Sequence, residues 1–387
     1  MKKILFVITS FRHGGTNKSL ENLLSLLDPE KYQIDVFAME HFGPYNSMLS
    51  NCTILPKDKW LHAFISQFRD TKGTTKLRSM TLKVLRKLLA WLGLDLSEYL
   101  YKNAVRTFSK NKTYDTVVAF SEGAPTAFAQ HFKTKNKIAW IHCDYKSYMT
   151  LNNHPDETNM YQAYQSIVCV SEFTKDSFCK IMPTLCRKAY AIHNVVNVNE
   201  IKLLSEKKID EKYYDENVFN IVSVGRINVI KRFDEIPQIV RILLDKGCKL
   251  NWILIGPEGQ PDEQRSLLEN IRKYRVEETF FWIGEKDNPY PYIKNSDLLV
   301  NVSISEACPY VVNEAKVLHT PVVCTNFGSA VEFIEHDING LIAPLASIVD
   351  AVELLIKNKK QYNRIKDNIE KFTYSNEKIL NKIYILL

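Results

Sequence analysis

The chain has 387 residues, 45% of them hydrophobic and 25% charged, a length that calls for two domains rather than one core. Its net charge of +7 is modest, so no nucleic-acid partner is expected, and no stretch approaches the ~20 apolar residues of a membrane span. The eight cysteines (52, 143, 169, 179, 186, 248, 308 and 324) lie mostly inside apolar runs and form no CxxC pair. They are expected as free thiols of a reducing cytosol, neither a disulfide framework nor a zinc site.

The first element is the strand KILFVIT (3–9). Its apolar stretch, Ile4 to Ile8, is short and runs into charge and glycines, which argues against a signal peptide. RHGGTNKS (12–19) follows and opens the helical pattern NKSLENLLSLL (17–27). Glycines at that junction let backbone approach a ligand and a helix N-terminus favours an anion, although a Gly-Gly pair in a βα turn often only turns the chain. YQIDVFA (32–38) reads as the next strand. Residues 71–94 then carry six basic residues (Lys72, Lys76, Arg78, Lys83, Arg86, Lys87) and no acid. Leu77, Met80, Val84, Leu88 and Trp91 recur there at helical spacing. The pattern suits a helix lying in a membrane interface, with Lys76, Arg78, Lys83, Arg86, Lys87 and Trp91 as contacts, and equally a helix packed on the sheet with a basic outer face. DTVVAF (115–120), KIAWIH (137–142) and SIVCV (166–170) continue the strands.

After a polar, strand-poor interval the pattern restarts with FNIVSVG (219–225), LNWILIG (250–256), TFFWIG (279–284), DLLVNVS (297–303) and PVVCT (321–325). Strands alternating with helices mean βαβ units and parallel sheets. Two Rossmann-like domains are expected, 1–197 and 198–387, with a hinge near Asn197. The final helix, about 373–387, is expected to pack back on the first domain. Ligands of open α/β sheets bind outside the carboxyl ends of the strands, so a cleft between facing sheets is the expected site.

Two segments carry chemistry there. In VGRINVIKRFDE (224–235), Arg226 follows a strand end and Lys231 comes five residues later. The pair reads as a solvated surface pair or as a diphosphate clamp, Arg as a fork and Lys as a point charge. In SEACPYVVNEAKVLHTPVV (305–323), Glu306 and Glu314 bracket an apolar run. An ionised carboxylate buried without a partner is costly. The helix macrodipole accounts for Glu314 but leaves Glu306 unexplained. Sugar and ribose hydroxyls would engage both, since a carboxylate accepts two hydrogen bonds from a vicinal diol.

Glu306 and Glu314 with seven residues between them, VGR with lysine five residues on, and EFIEHDINGLIAP (332–344) resemble the retaining glycosyltransferases of family 4, which have the GT-B fold. WIHCDY (140–145) and VSEFTKDSF (170–178) look most like its bacterial capsule and exopolysaccharide members. The resemblance implies Glu306 on the donor sugar, Glu314 on the nucleotide ribose, and Arg226 and Lys231 on the diphosphate. It also implies His142 beside the sugar, Gly14 and Gly15 near phosphate and acceptor, and Gly284, Pro309, Tyr310 and Val311 on the donor. It further implies transfer of a UDP-linked hexose or N-acetylhexosamine, without metal or cofactor, to a glycan or lipid-linked oligosaccharide at the cytoplasmic face of an anionic membrane. Ala307-Cys308, His319 and GGTNKS depart from the family's usual residues, which leaves the sugars open. A sugar-nucleotide epimerase or hydrolase, or a non-catalytic partner subunit, are the competing functions.

Overall fold

The computed structural model describes residues 1–67, 70–151, 157–209 and 211–387. It divides into two compact units: Met1–Val195 with Asn376–Leu387, and Val196–Ser375.

The first unit is built on seven parallel strands: β1 (Lys2–Ser10), β2 (Tyr32–Glu40), β3 (Thr53–Ile54), β4 (Thr116–Ala119), β5 (Asn136–Ile141), β6 (Ser166–Cys169) and β7 (Ala189–Ala191), in the order β3-β2-β1-β4-β5-β6-β7. β1 is an interior strand, between β2 and β4, and is buried from Ile4 to Ile8, which explains its unbroken apolar run. Helices lie between successive strands, as right-handed crossovers require. Phe37, Phe128, Tyr145, Tyr161 and Phe178 anchor the core on one face of the sheet.

The second unit has six parallel strands: β8 (Phe219–Val224), β9 (Leu250–Ile255), β10 (Phe280–Trp282), β11 (Leu298–Asn301), β12 (Val322–Thr325) and β13 (Gly340–Ala343), in the order β10-β9-β8-β11-β12-β13. A chain of hydrogen bonds pairs polar groups inside its core. The buried Trp252 indole donates to Ser223 Oγ at 3.1 Å, and Ser223 donates on to the Val300 carbonyl at 2.7 Å, so neither group is left unsatisfied.

The last helix, Asn376–Leu386, belongs to the first unit. Asn136 Nδ2 donates to the Leu386 carbonyl at 2.7 Å and Thr116 Oγ1 to that of Leu387 at 3.0 Å. Tyr384 stacks on Tyr32. The helix thus closes the amino ends of β2, β4 and β5, leaving their carboxyl ends to the loops. The preceding helix, Lys359–Glu370, stays with the second unit.

One expectation is corrected. Cys179 and Cys186 are disulfide-bonded, with Cα atoms 4.9 Å apart. The helix Glu172–Ile181 is followed at once by a 3₁₀ segment, Pro183–Lys188, which doubles the chain back and brings the two positions together. The bond is local, seven residues apart, and the other six cysteines are free. Among the described residues no helix is long and apolar enough to cross a membrane.

Candidate active site

In the second unit, three neighbouring strands end in glycine: Gly225 after β8, Gly256 after β9 and, one residue further on, Gly284 after β10. The reason is steric. A Cβ on Gly256 would lie 1.8 Å from the Gly225 carbonyl oxygen, and one on Gly225 would press on the Phe233 ring at 3.1 Å. Gly225 N–H donates to Ile255 and Gly256 N–H to Gly284, so the three strand ends are laced together by backbone. Arg226 stands exposed at this edge.

The chain beyond β8 does not enter a helix directly. Asn228 Oδ1 accepts from Lys231 N–H at 2.9 Å and fixes a turn, and the Ile230 carbonyl accepts from Ile304 N–H at 2.8 Å. The loop after β8 is thereby tied to the loop after β11, and Lys231 meets Glu306. Lys231 Nζ donates to Glu306 Oε1. The same oxygen accepts from Ser303 Oγ at 2.8 Å and Asn301 Nδ2 at 3.3 Å. Ser329 Oγ donates to the Glu306 carbonyl at 2.7 Å. Glu306 is 13% exposed and Lys231 22%, so both are partly desolvated yet reachable. The partner that the buried acid requires is, within the protein, Lys231. A lysine has three N–H donors and a carboxylate two oxygens, so each keeps capacity for a ligand.

Glu314 lies on the helix Tyr310–Val317, which Pro309 precedes and which is buried almost throughout. Its carboxylate accepts from Tyr290 O–H at 3.3 Å. The helix ends at Leu318, and His319 adopts φ +59°, the left-handed conformation that makes glycine the usual residue there. The His319 ring repays part of that cost through Nδ1, 2.9 Å from the Ile369 carbonyl. Lys316 of the same helix is buried, donates to the Phe333 carbonyl at 2.6 Å and lies over the Phe372 ring. Burial pushes its pKa down to about 8.

In the first unit, Gly14 precedes the helix Gly15–Leu26 and no side chain caps that terminus. A Cβ on Gly14 or Gly15 would meet nothing within 4 Å, so open space rather than crowding surrounds the pair. Asn17 holds the preceding loop, its Nδ2 donating to the carbonyls of Ser10 at 2.8 Å and Arg12 at 2.6 Å. That bond accounts for an asparagine in GGTNKS. Arg12 pairs with Asp70 at 2.6 Å and approaches Glu40, whose carboxyl burial holds above its ordinary range against the pull of Arg12.

His142 follows β5 directly. Its N–H donates to Glu122 Oε2 at 3.0 Å, and its ring lies parallel to Trp140 and against Phe120. Burial drives its pKa down to about 3, so the ring is neutral at physiological pH. Nε2 is buried with no hydrogen-bond partner among the described residues. An orphaned ring nitrogen at the carboxyl end of a parallel sheet is a ready contact for a polar ligand group.

Reading the sequence paired the two cations and the two acids by type, and missed Asn301, Ser303, Ser329 and Glu122. The signal for the first two lay in NVS, polar side chains ending an apolar strand. Ser329 and Glu122 come from other loops, and only the topology brings them in.

Residues 205–372 match the family described as glycosyl transferases group 1. The chain is 22% identical to the amylovoran biosynthesis glycosyltransferase AmsD of Erwinia amylovora, over 84% of this chain and 80% of that protein. It is 24% identical to an uncharacterized glycosyltransferase of Haemophilus influenzae, over 99% of each. Among solved structures it is similar to Anabaena HepE in complex with UDP, with a TM-score of 0.71 and 16% identity, covering 100% of this chain and 99% of that one. That family match spans the whole sheet of the second unit, in a chain whose two parallel sheets have the GT-B fold.

Proposed function

We propose that the protein is a retaining glycosyltransferase that moves a sugar from a nucleotide-sugar to a glycan acceptor in bacterial surface-polysaccharide synthesis. The donor is a UDP-linked hexose or N-acetylhexosamine, and the acceptor is carried on lipid at the cytoplasmic face of the membrane. The observation that carries this reading is the Lys231–Glu306 pair at the carboxyl ends of β8 and β11, with Glu314 on the helix that follows. The names of the AmsD relative and of the HepE complex with UDP support the pathway and the base.

Arg226 and Lys231 neutralise the leaving diphosphate, the role a metal ion fills elsewhere. Glu306 accepts from hydroxyls of the transferred sugar, and Glu314 from the ribose diol. Gly284 and the Pro309–Val311 segment line the donor. Neutral His142 offers Nε2 to a sugar hydroxyl, and the Gly14–Gly15 loop serves phosphate and acceptor. The acceptor oxygen forms its bond to C1 on the face from which the phosphate departs, and the departing phosphate oxygen takes the acceptor proton.

The test is NMR of the product formed from a UDP-sugar and a polysaccharide-precursor acceptor. Retained anomeric configuration supports the reading, and an inverted product contradicts it. Consumption of donor at the same rate without acceptor would assign the protein to the epimerase or hydrolase class instead. Arg226→Ala is expected to lower transfer at least ~100-fold.

A further inference from the structure

The helix Gly73–Trp91 packs on the first unit through one side only. Ser79 and Leu82 are its buried residues, and Arg78 and Arg86 lie over the Trp60 and Phe64 rings of the helix Lys59–Ile65. The opposite side is apolar and open. Leu77 is 67% exposed, Met80 51%, Val84 61%, Leu88 58% and Trp91 85%, and Leu92 and Leu94, just past the helix end, are exposed as well. Steps of three, four, four and three residues put the first five on one line at about 100° per residue. By the same rotation Lys76, Lys83 and Lys87 form a row along one border of that strip. No acid occurs between residues 71 and 94.

Water is a poor neighbour for a strip of this kind, and its covering can be argued from charge. A second copy laid antiparallel on it, about a two-fold axis across the helix, would set lysine row against lysine row, and in a parallel pairing too the segment has no acid to offer the lysines. A phospholipid surface takes both halves of the pattern. The apolar side chains and Trp91 enter the acyl boundary, while the lysines extend to the phosphates.

We infer that this helix docks the first unit on an anionic lipid bilayer, lying in the interface plane with Leu77, Met80, Val84, Leu88 and Trp91 inserted. The inference goes beyond sugar transfer and stands whether or not that reaction is the right one. Flotation of the full-length protein with vesicles of phosphatidylcholine alone, or of phosphatidylcholine mixed with phosphatidylglycerol, tests it. Binding should need phosphatidylglycerol and weaken steeply with salt. Lys76→Gln/Lys83→Gln/Lys87→Gln should weaken it about a hundredfold, roughly fivefold for each cation. Leu88→Gln and Trp91→Gln, each at an exposed position, should weaken it at least about tenfold with unchanged melting temperature. No binding to anionic vesicles, equal binding to neutral ones, or binding indifferent to all three variants would overturn the inference. So would self-association that Leu88→Gln abolishes without any vesicle binding, which would give the strip to a second copy.

Discussion

Lys231 and Glu306 hold each other in a state neither could keep alone. Both are mostly shielded from water, and a buried charge that loses its counter-ion is destabilising by several kcal/mol. Lys231→Ala is therefore expected to lower stability by about 1–3 kcal/mol as well as to abolish most transfer. Lys231→Ala/Glu306→Gln should recover much of that stability, because no uncompensated charge remains, while transfer stays at least ~100-fold down. Chemical denaturation alongside kinetics separates the two effects, and a double variant no more stable than the single would remove the coupling. The acids should also divide their labour. Glu314→Gln is expected to weaken UDP as a product inhibitor by roughly tenfold, whereas Glu306→Gln should leave UDP inhibition nearly unchanged and lower turnover. Equal losses of UDP affinity would contradict that division. The residue types were legible in the sequence; the contact between Lys231 and Glu306 was not, because it depends on the Ile304–Ile230 backbone bond between two loops.

At the level of elements, strands with long β-branched or aromatic runs announced themselves: β1, β2, β8 and β9 lie where KILFVIT, YQIDVFA, FNIVSVG and LNWILIG stand. Three of the four edge strands did not. β3 is two residues long, β7 is Ala-Tyr-Ala, and β13 is Gly-Leu-Ile-Ala inside a loop-like motif. Their pairing is set by neighbours in the sheet and by tertiary packing, with little local propensity behind it. The helix Gly73–Trp91 is a different case. Its two-sided pattern was plain, but which side would meet the protein could be learned only from its packing. His319 shows how an unusual residue is tolerated: its left-handed backbone is offset by the ring's bond to Ile369. His319→Ala, which keeps the strain and loses the bond, should cost about 1 kcal/mol, and His319→Gly, which loses both, should stay within ~0.5 kcal/mol of wild type. Denaturant titration would check this, with equal destabilisation by the two substitutions as the contrary result.

Across the whole molecule, the two units carry different chemistry in similar frames. The first buries neutral histidines. His62 Nδ1 accepts from His41 N–H at 3.3 Å, and burial pushes the His62 pKa down to about 4, as it pushes that of His142 to about 3. A folded-state pKa below the unfolded value of 6.5 means that the unfolded chain binds more protons in between. The histidine contribution to stability should be level above pH 6.5 and fall as pH drops from 6.5 toward 4, with a shallower fall in His62→Gln; a slope unchanged in that variant would contradict the assignment. The second unit concentrates charge, and its cation–acid pair is the core of the functional reading. Isothermal titration of the protein with UDP, and in parallel with GDP, ADP and dTDP, tests that reading most directly. At least one nucleoside diphosphate, UDP foremost, should bind, and Lys231→Met/Glu306→Gln should weaken it by about ten- to a hundredfold, the worth of one charge-assisted contact. No nucleoside diphosphate binding to the wild type, or undiminished affinity in the double variant, would contradict it.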